Sequence, residues 1–131
     1  MIIRNQNPKG GTELQFNYLE EYVDKKLLDQ VQITTSVPEK IPLHPNKINI
    51  LWQKNSYDQP NLAPWFQDKS NHHKYDWYVF NSHWTFEKFR MMFGLPAEKC
   101  LVIKNGVDKI QKAKPYKQGD PIRIIHQKTP W

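Results

Sequence analysis

Residues 79–108 constrain the fold of this chain more than any other stretch. Val79 and Phe80 form a short apolar run, and Asn81-Ser82-His83-Trp84 follows, with Ser82 suited to cap a helix start. Phe86, Phe89 and Phe93 then recur at helical spacing and define one apolar face. Gly94 supplies a left-handed stop, and Pro96 prevents continuation. The next apolar run, 100–103, predicts a buried strand that closes on the turn dipeptide Asn105-Gly106. Strand, helix and strand joined by short loops form the repeating unit of an open parallel sheet. Such sheets bind ligands beyond the carboxyl ends of their strands. The expectation is therefore an α/β fold: a single Rossmann-like domain, with a mostly parallel sheet flanked by helices.

The rest of the chain fits that scheme. Residues 1–4 read as a truncated first strand, and 5–12 as a loop. A helix is expected over 13–28, with Thr12 as N-cap, Glu13 in the first turn and a stripe of Phe16, Leu19, Val23 and Leu27 widened by Tyr22. Residues 30–37 alternate enough to form a second strand, whereas 38–45 hold three prolines and must be loop. A third strand runs over 48–52, with Ile48, Ile50 and Trp52 on one face and Leu51 on the other. A short helix is expected within 61–75, with Pro64 near its first turn. Residues 109–120 read as a Lys-rich linker, and Ile122, Ile124 and Ile125 as a fresh strand that opens a second domain. At 131 residues one modest core is the natural size. With Cys100 alone, no disulfide framework exists. No apolar signal segment or membrane-length run is visible, so a cytoplasmic protein is expected.

A net charge of +6 invites comparison with nucleic-acid binders. The lysines, however, are scattered, and the densest group (Lys109, Lys112, Lys114, Lys117) falls in the linker. No aromatic–basic RNA-binding motif is present. Nucleic acid is thus not the expected partner. A non-enzymatic module that holds glycan or nucleic acid through Trp65, Trp77 and Trp131 is the alternative.

Three loops carry candidate chemistry. In Asn7-Pro8-Lys9-Gly10-Gly11-Thr12-Glu13 two glycines precede a helix start, whose free N–H groups suit an anion; the plainer account is a turn joining strand to helix. Trp52-Gln53-Lys54-Asn55-Ser56-Tyr57-Asp58 brings polar side chains to a strand tip beside a Trp, or is a solvated loop with one aromatic anchor. Asn105-Gly106 is first a turn and second a ligand contact. Other chemistries are set aside. His72-His73 diverge and have no ligand partner at metal-binding spacing. Ser82 lacks a nucleophile-elbow context. Cys100, in an apolar strand, should have a raised pKa and poor access.

Taken in order, several segments resemble the N-terminal half of the retaining, two-domain (GT-B fold) glycosyltransferases of family four. They are Gly10-Gly11-Thr12-Glu13, Ile50-Leu51-Trp52-Gln53, Val79-Phe80-Asn81-Ser82-His83-Trp84 with Phe89 and Phe93-Gly94-Leu95-Pro96, and Lys104-Asn105-Gly106-Val107-Asp108. Ile122-Arg123-Ile124-Ile125 with Thr129-Pro130-Trp131 looks like the opening of that family's second domain. The resemblance implies an acceptor-side domain over 1–108, a linker over 109–120 and the start of a second domain over 121–131. It implies transfer of a sugar from a nucleotide-sugar donor to a glycan or lipid-linked acceptor with retention, weak or absent without the second domain. No cofactor or divalent metal is implied, since backbone amides and basic side chains offset the departing diphosphate. The Gly-rich loop, through Gly10 and Gly11, would lie near the donor phosphates. Thr12, Glu13, Trp52, Asn105 and Gly106 would complete the substrate contacts. Where family members often carry a histidine, Gln53 and Lys54 stand here, and these are the catalytic candidates. The 122–125 strand, left without a partner, would be an edge open to self-association.

Overall fold

Four strands form one sheet in the order β1 (Val31–Thr35), β2 (Ile48–Gln53), β3 (Trp77–Phe80) and β4 (Cys100–Val102), and every pairing is parallel. The computed structural model describes residues 1–4, 10–107, 115 and 117–122. Of the expected first strand, Ile2 makes an isolated parallel bridge to Ile33 of β1 and forms no strand. The helices are α1 (Gly11–Tyr22), α2 (Lys25–Leu28), α3 (Ala63–Gln67) and α4 (His83–Phe93). The molecule is thus a single Rossmann-like α/β domain, as the 79–108 block implied.

Alternation along the strands builds two cores, because successive side chains leave a strand on opposite faces. Ile33, Trp52 and Val79 meet Phe16 of α1 on one face. Leu51, Tyr78 and Phe80 meet Phe66 of α3 and Phe89 and Phe93 of α4 on the other. The second core is almost entirely aromatic. Phe66 packs edge-on to Phe89 at 4.9 Å and stacks with Phe93 at 5.5 Å between ring centres. Each such pair adds about 0.5–1.5 kcal/mol beyond the area it buries.

α4 follows the sequence closely. Ser82 accepts a hydrogen bond from the Thr85 backbone N–H at 3.1 Å, and Gly94 ends the helix at φ 68°. α1 departs from it. The helix expected over 13–28 breaks after Tyr22, because Asp24 leaves helical geometry and its carboxylate accepts from Lys26 N–H at 2.8 Å to start α2. Leu27 and Tyr22, expected in the apolar stripe, are consequently exposed. Thr12 does not cap α1. Gly10 holds the N-cap position with no side-chain bond.

β4 corrects another expectation. It is a short edge strand whose Leu101 is 45% exposed, since α1 does not reach over it. The β-strand expected over 121–126 has Ile122 exposed and in no strand. The remainder of that segment, with most of the expected linker, lies outside the described residues.

Candidate functional site

Parallel pairing puts the ends of β1 and β2, and the starts of α1 and α4, on one side of the molecule. Each helix that follows a strand must begin at that strand's carboxyl end. Three stretches singled out in the sequence converge there. Lys54, just past β2, donates from Nζ to Asn105 Oδ1 at 2.9 Å, although the two are 51 residues apart. The same ammonium sits 3.4 Å from the centre of the Trp52 ring. Gln15 of α1 donates to the Gly106 carbonyl at 3.1 Å, which ties the segment after β4 to the helix. Gly11 lies four residues before Gln15, about 6 Å along the helix axis.

The electrostatics of Lys54 are unusual. Burial pushes its pKa down to about 8 from an ordinary 10.5. Asn105 is neutral, and among the described residues Lys54 makes no ion pair. A half-desolvated cation held by an aromatic face and a carboxamide lacks a neutralising anion.

The other expected site residues divide clearly. Gly10 has φ −73° and ψ 153°, so neither it nor Gly11, a helical residue, needs a left-handed backbone. Gly11 is exposed, and a Cβ built there would meet nothing within 4 Å among the described residues. Thr12 is half-buried. Glu13 is buried, and its carboxylate pairs with Arg4 at 3.0 Å. That carboxylate locks the segment before α1 to the helix; it is not presented to an anion. Gln53 points to the opposite face from Trp52, is fully buried, and donates to the Asn55 carbonyl at 3.3 Å. It has no route to a substrate in this arrangement, leaving Lys54 as the accessible member of the candidate pair.

Residues outside the sequence motifs complete the site. A groove of about 430 Å³ runs between α1 and residues 103–107, with Trp52 contributing to its wall. Leu19 and Tyr22 of α1, Val23 just beyond it, and Ile103 and Val107 make it largely apolar. Only the segment after β4 turning back toward α1 creates it. Ser36, at the end of β1, adds a further irregularity. It adopts φ 60°, and Val37 N–H bonds to the Thr35 carbonyl at 2.7 Å in a three-residue turn. A non-glycine residue held there stores strain of about 1–3 kcal/mol, a feature concentrated at ligand sites.

Groups set aside in the sequence find structural places. His72 Nε2 lies 2.8 Å from the Phe66 carbonyl, buried under α3. The Cys100 thiol points at the Pro96 carbonyl at 3.3 Å, and burial pushes its pKa up to about 12, so it is not a nucleophile near neutral pH. Trp65 is half-buried, and its indole donates to Glu39 at 2.6 Å. Trp84 is instead the most exposed of the described tryptophans at 59%, beside Tyr57 with ring centres 6.4 Å apart. Trp131 lies outside the described residues. No helix among the described residues is long and apolar enough to cross a membrane.

The fold defines a single α/β domain of the parallel-sheet class. Comparison with protein-family models, curated proteins and solved structures finds no match.

Proposed function

We propose that this domain forms the acceptor-side wall of a retaining sugar-transfer cleft that takes a nucleotide-sugar donor. The observation that carries the reading is the convergence of Lys54, Trp52, Asn105 and the start of α1 at the carboxyl edge. A donor diphosphate needs positive potential that is not cancelled by protein carboxylates, and the ammonium of Lys54, which makes no ion pair among the described residues, offers it. The N-terminus of α1 at the exposed Gly11 would supply further N–H donors for the same anion. Charge that develops on the departing diphosphate would be held by these groups without a metal ion. The domain alone binds donor weakly and turns over slowly or not at all.

Titration calorimetry of the chain with a panel of nucleotide sugars and nucleoside diphosphates tests this. The expected result is weak binding that depends on the diphosphate, reduced at least tenfold by Lys54→Met and by Gly11→Trp. Gly11→Trp leaves the fold intact, because the position has ordinary φ and open space around it. Absence of binding at millimolar ligand, or binding indifferent to both substitutions, overturns the reading.

A second reading, a glycan-binding module without catalysis, is favoured by one feature. The exposed Trp84 pairs with the half-buried Tyr57, with the Lys88 ammonium about 6 Å from both rings (6.0 and 5.8 Å). Aromatic faces stack on sugar rings. Oligosaccharide binding abolished by Trp84→Ala, together with no nucleotide-sugar binding, selects it.

A further inference from the structure

The groove between α1 and residues 103–107 has a chemical polarity. Its length along α1, from Gln15 to Tyr22, spans about 12 Å at the helical rise. Its volume of about 430 Å³ falls within the range of small-molecule sites, about 300–1,000 Å³. Along this length the apolar lining is Leu19, Tyr22, Val23, Ile103 and Val107, beside Gln15 and Tyr18, and no acidic side chain lines it among the described residues. Lys104, the one charged residue of the lining among the described residues, is a cation. Lys54 lies against the Trp52 ring that forms part of the wall, and among the described residues it has no carboxylate partner. Among the described residues the groove thus joins two cations, Lys104 in the lining and Lys54 over the Trp52 ring, to a largely apolar wall, the complement of a molecule with an anionic head and a hydrocarbon tail.

We propose that this groove binds a single-tailed anionic amphiphile, with its tail between α1 and residues 103–107 and its head against Lys54 and Lys104. Resting on the sugar-transfer reading above, the bound amphiphile is the acceptor, or carries it. Burial of the tail supplies affinity in proportion to the apolar area covered. The cations set its direction, so a neutral head on the same tail binds less well. The open rim admits a free molecule taken up singly from solution, and the proposal commits to that source.

The probe is dodecyl phosphate below its micelle threshold, titrated into the full chain by calorimetry beside butyl phosphate, inorganic phosphate and dodecanol. Dodecyl phosphate should bind at least tenfold more tightly than each of the other three. Val107→Glu puts a carboxylate on the groove wall and should weaken binding at least tenfold. Val107 is 84% exposed, so this variant keeps the fold, checked by circular dichroism. Lys54→Met should weaken dodecyl phosphate and leave dodecanol unchanged. Equal binding of butyl and dodecyl phosphate overturns the proposal, as does indifference to Val107→Glu. Binding only to vesicles of phosphatidic acid, with none to the monomer, also overturns it by making the ligand a membrane surface. If nucleotide sugar binds in a Lys54-dependent way and dodecyl phosphate does not, the groove assignment fails and the sugar-transfer reading stands. The reverse result leaves the amphiphile site and removes the sugar-transfer reading.

Discussion

Lys54 holds its ammonium where water reaches only part of it, and the native state bears the resulting desolvation. With a native pKa of about 8 against an ordinary 10.5, the folded chain binds fewer protons than the unfolded chain between those values. Stability contributed at this position therefore rises from about pH 8 to pH 10.5, and the cost is fully present below about pH 8. Lys54→Met should stabilise the protein at pH 7 by about 1 kcal/mol, allowing for solvent screening of the exposed part of the chain. That gain should fade toward pH 10.5; urea midpoints of both proteins across this range give the difference directly. A gain independent of pH would mean that packing, not charge, separates the two residues. Lys54, Trp52, Asn105 and Gly106 were each legible as candidates from their place after a strand. Their mutual contact was not, because the Lys54–Asn105 bond depends on how the chain turns back after β4. Gln53 could have been assigned inward beforehand, since a residue adjacent to a groove-facing Trp52 in a strand must face the other way.

Among the elements, α4 was read almost residue by residue and α1 was not, for one physical reason. α4 carries its signals locally: a hydroxyl that caps, phenylalanines at helical spacing, and a glycine where the backbone turns left-handed. In α1 an apolar stripe continued through Asp24, and the stripe outweighed the aspartate. The observed break shows a carboxylate prevailing by bonding to the next turn's N–H, while the weak apolar positions Tyr22 and Leu27 stay in solvent. Ser82→Ala should destabilise the protein by about 1 kcal/mol through loss of the cap. Gly94→Ala should cost about 1–2 kcal/mol from its positive φ, because a Cβ there makes only ordinary contact with Lys69 at 3.6 Å. Thermal denaturation of the two variants checks both, and the double variant should show close to the sum. A neutral Gly94→Ala would mean that the helix end re-forms with another backbone geometry.

For the whole molecule, stability is concentrated on the aromatic face. Phe66 is fully buried and touches the rings of Trp65, Tyr78, Phe89 and Phe93, so it joins α3, α4 and the sheet. Phe66→Ala should cost about 3–5 kcal/mol, a large part of the 5–15 kcal/mol available to a domain. Equilibrium unfolding in urea should show the shifted midpoint; a change under 1 kcal/mol would mean the cluster closes over the space. The other face has the smaller cluster among the described residues, with Phe16 and Leu19 of α1 and Ile2 packed against it. The α/β class was readable because one strand–helix–strand block states it. The strand order was not, since hydrophobic pattern says which residues pair with a core and not which strand lies beside which. That order, running across the sheet from β1 to β4 as along the chain, has a consequence for synthesis. Each new strand of the described sheet after the first finds its preceding partner already made, at the growing rim, and never has to wedge between two that have already joined. Assembly can keep pace with translation, and each segment waits exposed only until the next one arrives.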